Sequence, residues 1–188
     1  MRWQRLFADL EAEWEAGEAA AERAQDPSRI RLETGAVRLA ERLGGAVGRA
    51  VALRCRGAGE LRGVLTGVGE GWVLLSEPGE RELLVAVAAV RTVAGLDRGT
   101  AAAEQGEVAR RLDLRWAVRG LARDRSPVQV LLDDGGALTG TVDRVGADFL
   151  ELAEHPADQP RRSAAVQGVR AIALDAVTAV RRLAPGPG

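Results

Sequence analysis

The chain has 188 residues, room for one domain or two small ones, and carries 26 basic against 27 acidic residues for a formal net charge of −1. That balance excludes a global basic field that would hold nucleic acid by charge alone, and equally an acidic field for a basic partner. Every basic residue is arginine, lysine, asparagine and tyrosine are missing (the pattern GC-rich codons produce), and the single cysteine, Cys55, excludes an intrachain disulfide.

The opening MRWQRLFADLEAEWEAG has acids throughout and no apolar run of signal-peptide type. No stretch approaches the roughly 20 apolar residues of a membrane helix. A soluble, cytoplasmic protein is expected. Residues 2–24 read as one helix. Trp3, Phe7, Leu10, Trp14, Gly17, Ala21 and Ala24 recur at alternating steps of four and three, a single apolar stripe. Acids lie between them. The stripe can dock on its own domain, dimerise, or hold a protein partner through Trp3, Phe7, Leu10 and Trp14. Asp26-Pro27 then reads as an N-cap with proline at the first helical position, opening a second helix that stops at Gly44-Gly45.

From residue 48 the period changes to two. Val51, Leu53 and Cys55 alternate with Ala52 and Arg54; Gly57-Ala58-Gly59 turns the chain; Leu61, Gly63 and Leu65 alternate again. WVLL, the turn at Pro78-Gly79, then Leu83, Val85 and Val87, and finally Val90 to Val93 complete five short strands. Cys55 falls on a strand and reads as a small core residue. Strands this short with tight turns predict a small closed barrel rather than a sandwich. Residues 97–106 are polar and small, a linker. Residues 107–123 read as a helix with Val108, Leu112, Val118 and Leu121 as its buried side.

The pattern then repeats. Residues 51–75 and 128–152 align without a gap, 77 positions apart: Val51 with Val128, Leu61 with Leu138, Gly63 with Gly140, Gly69 with Gly146, Trp72 with Phe149. Asp133-Asp134-Gly135-Gly136 makes a hairpin turn. The loop 154–162 is ten residues longer than its counterpart, after which Val85 meets Ile172, Val90 meets Val177 and Val93 meets Val180. A duplication fixes architecture before any single residue does. The expected fold is α+β, mainly β. It has two tandem five-stranded small barrels, each preceded by a helix, plus an N-terminal helical arm. The boundaries are 1–44 for the arm, 45–97 for the first barrel, 98–106 for the linker, 107–183 for the helix and second barrel, and 184–188 for a disordered tail.

The run V-x-L-x…L-x-G-x-L…V-G…W/F-x-x-L followed by V-x-V-x-x-V-x-x-V resembles the Sm-like fold, and shares its alternation with SH3-like barrels. The resemblance covers 48–96 and 126–183. It implies a strongly bent five-stranded barrel of a kind seen in RNA-associated rings and ribosome-maturation factors. The layout is also similar to an actinobacterial family sometimes labelled Fis-type transcriptional regulators. That likeness rests on Arg2-Trp3, Leu6-Phe7, Asp9-Leu10-Glu11, Gly140 to Gly146, Asp148 and His155. No segment reads as a helix-turn-helix with a basic recognition helix. The Asp and Asn that RNA-binding Sm proteins carry near the loop after the glycine strand are replaced by Gly69 and Val73, and by Gly146 and Leu150. A valine or leucine cannot hydrogen-bond a base edge, so no uridine-type pocket is expected.

Catalytic chemistry finds little support. The one histidine, His155, sits in a proline-flanked loop and reads as a solvated loop residue; as a general base it would have to work with Glu154, Asp148 or Asp158. One cysteine and one histidine do not make an ordinary zinc site, and no phosphate-cradling glycine motif precedes a helix. No metal, cofactor or membrane is expected. The most suggestive charge pattern is Arg111, Arg115, Arg119 and Arg123, at steps of four on one helix face. Over 107–125 six arginines face three acids. Such a stripe can be a solvated face, pair with the acidic N-terminal helix or another subunit, or grip a phosphate backbone. Trp116 beside it reads as core first, a rim contact or stacking platform after that. Two readings lead. One is a non-enzymatic binding or adaptor protein associating with a protein partner or with itself. The other is an RNA- or DNA-binding protein in transcription or ribosome biogenesis.

Overall fold

The computed structural model describes residues 37–79, 81–96, 112–157 and 165–183. The apolar stripe from Trp3 to Ala24, the linker 98–106, Arg111, Asp158 and the tail lie outside them. A short helix α1, Leu39–Gly44, leads into β1 (Ala50–Cys55), β2 (Gly59–Gly69), β3 (Trp72–Glu77), β4 (Arg81–Ala86) and β5 (Val90–Ala94). Helix α2, Leu114–Asp124, precedes β6 (Pro127–Leu132), β7 (Ala137–Val145), β8 (Phe149–Glu154), β9 (Gly168–Ala173) and β10 (Val177–Arg182). A 3₁₀ turn joins the last two strands of each half, Val87–Ala89 and Leu174–Ala176.

The protein is mainly β, but the expected pair of closed barrels is not drawn by the backbone hydrogen bonds. The ten strands form one antiparallel sheet in the order β5-β1-β2-β3-β4-β10-β6-β7-β8-β9, and it does not close. The two halves meet because β10 carries a second partner. It pairs with β6 of its own half and with β4 of the other, through Ala179↔Val85, Val180↔Leu84 and Arg181↔Leu83. A strand with two free edges satisfies its backbone groups better inside a sheet than at its rim.

Within each half the repeat holds to the register. Val51↔Gly63 in β1·β2 corresponds to Val128↔Gly140 in β6·β7, and Trp72↔Ala86 in β3·β4 to Phe149↔Ala173 in β8·β9. Even the irregularities coincide. The β2·β3 register shifts between Leu65 and Gly67, and β7·β8 shifts between Val142 and Arg144. Bulges of this kind re-aim a strand and increase its twist. The interior glycines serve the same bend. A Cβ on Gly63 would stand 2.6 Å from the Ser76 carbonyl oxygen, and one on Gly140 would run into the Ala153 carbonyl.

Period-two burial builds the core. Val51, Leu53 and Cys55 of β1 are buried with Leu61, Leu65, Leu75, Leu83 and Val85. Val128, Val130, Val142, Leu150, Leu152 and Ile172 do the same in the second half. The two cores trade members. Ala179 of β10 belongs to the first, while Trp72 and Leu84 belong to the second. Burying alternate β-branched and leucine side chains at about 25 cal/mol per Å² is the main favourable term for such a sheet.

Candidate binding surfaces

Helix α2 starts where Asp113 accepts a hydrogen bond at 2.8 Å from the Trp116 backbone N–H, an N-cap. It ends at Arg125, whose φ of 51° is a left-handed stop. Leu114, Ala117, Val118 and Leu121 recur at helical spacing, turn inward and pack on the second core, next to β7. The opposite face carries Arg115, Trp116, Arg119 and Arg123. Arg119 and Arg123 are exposed, and Arg115 is half-buried with its Nε 3.5 Å from Asp113. Trp116 is 52% exposed, so its reading as a core residue is corrected. The apolar stripe of α2 is complete without it, and neither core cluster of the described residues includes the indole on the far side of the helix. Three of the four arginines of the predicted stripe therefore share an outer face with a tryptophan. Arg111 lies outside the described residues.

The segment before α2 crosses to the first half. The Leu112 carbonyl accepts the Trp72 indole N–H at 2.7 Å and the Glu70 backbone N–H at 3.0 Å, and Asp113 forms an isolated parallel bridge with Glu70. Trp72 is buried under this strap. Its repeat mate Phe149 packs its ring on Gly146, yet remains 37% exposed.

A shallow groove of about 560 Å³ lies on the first half, lined by Val51, Gly63, Val64, Pro78, Ala94 and Gly95 among others. At the equivalent places of the second half, Thr141 and His155 stand for Val64 and Pro78, and Arg181 and Gln129 for Ala94 and Ala52.

His155 is not the solvated loop residue its proline-rich surroundings suggest. It is 3% exposed, with Nε2 2.8 Å from Thr141 Oγ1 and Nδ1 2.9 Å from the Pro156 carbonyl. A carbonyl only accepts, so Nδ1 donates to Pro156, and in the neutral ring Nε2 is left to accept from the Thr141 hydroxyl. Both nitrogens are thus engaged by groups other than carboxylates, and the Glu154 carboxylate is held by Arg170, Nε to Oε1 at 2.5 Å. Asp148 receives the Leu174 backbone N–H on its carbonyl, and Asp158 lies outside the described residues.

Burial pushes the Cys55 thiol up to about 11. Among the described residues no group of three or more His, Cys, Asp or Glu side chains is placed to hold a metal ion, and no helix is long and apolar enough to cross a membrane. No protein-family model matches the chain, and a search of curated proteins returns no match.

Proposed function

We propose that the protein is a non-enzymatic, cytoplasmic binding or adaptor protein. Its duplicated sheet is a rigid carrier for surfaces that meet a protein partner. Trp116 carries this reading: a large aromatic side chain stands in solvent on a helix whose other face is fixed in the core. Tryptophan and arginine dominate the energetics of protein contacts, and rigid placement lowers the ordering cost of binding. The stripe of Trp3, Phe7, Leu10 and Trp14 supplies a second apolar handle of matching character. Each half is further proposed to be a small barrel of Sm-like or SH3-like type, supported by the common strand order and the repeated bulge and 3₁₀ turn.

The test is affinity capture with the tagged full chain from its native cytoplasm, with and without nuclease. The expected result is a discrete protein partner that survives nuclease. It is lost on Trp116→Ala, or on Phe7→Asp with Leu10→Asp, while circular dichroism stays unchanged. Capture unaffected by all three substitutions overturns the reading.

Arg115, Arg119 and Arg123 beside Trp116 favour one alternative, an RNA- or DNA-binding protein that grips phosphates with the arginines and stacks a base on the indole. This reading expects single-stranded oligonucleotide binding that weakens with salt. Removing one contacting arginine should flatten the log–log slope by about 0.7 for single strands. Equal low-salt binding by the triple alanine variant excludes it.

A further inference from the structure

The seam between β4 and β10 has a second possible location. β9 is the repeat mate of β4, and β5 is the repeat mate of β10. The two ends of the sheet are therefore the two sides of the same seam, carried by one chain. By equivalence to Ala179↔Val85, Val180↔Leu84 and Arg181↔Leu83, a second copy laid head to tail would pair Thr92 with Ile172, Val93 with Ala171 and Ala94 with Arg170. Such a contact is heterologous: each copy leaves a fresh edge, and the assembly grows until it closes into a ring or runs on as a fibre. The β9 edge also exposes apolar surface, with Val169 61% exposed.

We infer that both edges are closed to a second copy, and that Arg170 and Arg91 close them. Arg170 stands where β4 has Leu83. Leu83 is fully buried in the first core, whereas Arg170 is exposed and held by Glu154 of its own half, with a second contact from Nη2 to Oε2 at 3.4 Å. A strand laid on β9 would have to dehydrate that ion pair, a cost its Coulomb attraction repays only with additional hydrogen bonds. Arg91 stands where β10 has Thr178. Thr178 is fully buried and donates to the Arg56 carbonyl across the seam at 2.8 Å. Arg91 is exposed, and a strand contact at this edge would have to bring its charge and its longer side chain into the place that buried Thr178 fills at the seam.

The fastenings of the seam are missing from the edges as well. Arg181 grips Glu77 with two nitrogens, at 2.9 and 3.0 Å, and Gln129 with a third at 2.9 Å. Arg182 reaches Glu82 at 3.1 Å. Ala94, Gly95 and Ala52 occupy the places of Arg181, Arg182 and Gln129. Glu154, the mate of Glu77, is already neutralised within its half, and Val169 replaces Glu82. Charged residues on edge strands are a common guard against edge-to-edge pairing. Here the guard sits on the residues that the internal seam needs to be apolar or small.

Two measurements test this. Val93→Cys with Ala171→Cys would set two thiols opposite one another in the head-to-tail pairing, where paired Cα atoms lie about 4.5–5.5 Å apart. Mild oxidation of the full chain is expected to give no disulfide ladder with the natural edges. A ladder is expected once Arg91→Thr, Ala94→Arg and Arg170→Leu are added. A ladder with the natural edges overturns the inference, and its absence from a folded rebuilt variant overturns the assignment to these arginines. The unaltered protein supplies the second measurement. Hydrogen exchange at residues 169–173 is expected to be independent of protein concentration. Protection that grows with concentration shows that a second copy covers β9.

Discussion

Cys55 shows how one buried atom turns environment into a measurable property. The residue is 4% exposed, and its Sγ lies 3.8 Å from the Leu53 carbonyl, to which the thiol donates. Burial removes the water that would solvate a thiolate, which is why its pKa rises from 9.0 to about 11. At pH 8 a thiol reagent is therefore expected to label native protein only at the rate of opening, and unfolded protein at once. Below pH 9 the thiol is neutral in both states and its contribution to stability is fully present. Between pH 9 and about 11 the unfolded chain loses its proton first, and stability falls by on the order of 2 kcal/mol. Unfolding titrations of the wild type and Cys55→Ala across that window should differ in slope; parallel curves would rule the thiol out as the cause. His155 teaches the complementary lesson. A histidine between acids and prolines looks solvated in the sequence, because the threonine that takes it into the interior is 14 positions away. Thr141→Val keeps the shape of its side chain but leaves buried Nε2 without a donor. It should cost about 1–3 kcal/mol in denaturant unfolding.

At the scale of elements, the local rules were legible and the long-range ones were not. Alternation gave the five strands of the first half and the repeat carried them to the second. Positions matched in the gap-free alignment of 51–75 with 128–152 occupy equivalent pairs of the β1·β2 and β6·β7 ladders, because a slip by one residue would turn every apolar side chain outward. The glycines paired in that alignment mark real close approaches. Gly140→Ala forces a methyl group against the Ala153 carbonyl and should destabilise by about 1–3 kcal/mol, the range for overpacking against fixed backbone. An alanine variant with unchanged stability would mean that β7 and β8 can separate at no cost. The strap at Leu112 was invisible. It exists because an indole N–H, once buried, must find an acceptor, and the carbonyl that meets it lies 40 positions away, outside any periodic pattern. Trp116 was misjudged for a related reason: helical spacing tells which residues share a face, but not whether the described residues cover that face, and here they leave Trp116 52% exposed.

For the whole molecule, the decisive fact is that the duplication is not two independent bodies. Ala179 and Leu131 of the second half pack on the first core, while Trp72 and Leu84 of the first half pack on the second. Arg181 ties β10 to Glu77, with both side chains largely buried. The alignment showed two similar halves and left open whether they touch. Strand exchange at the seam was out of reach because β4 and β10 are nearly a hundred positions apart and each reads as an ordinary strand. Cores that share members cannot lose one without exposing part of the other, so the described sheet should unfold as one cooperative unit. Calorimetry should show a single transition whose van't Hoff and calorimetric enthalpies agree. Arg181→Ala should keep that single transition and lower stability by about 1–3 kcal/mol, because it leaves Glu77 largely buried with neither of its two guanidinium contacts. Ala179→Arg, by contrast, drives a charge into the first core at the seam itself. It should separate the transitions of the two halves. Two resolved transitions in the wild type would mean that the seam is a contact between finished domains. A single transition that splits only when Ala179 is replaced would mean that each half can fold by itself, and that β10, paired with β4 and packed on the first core, is what couples the two into one cooperative unit.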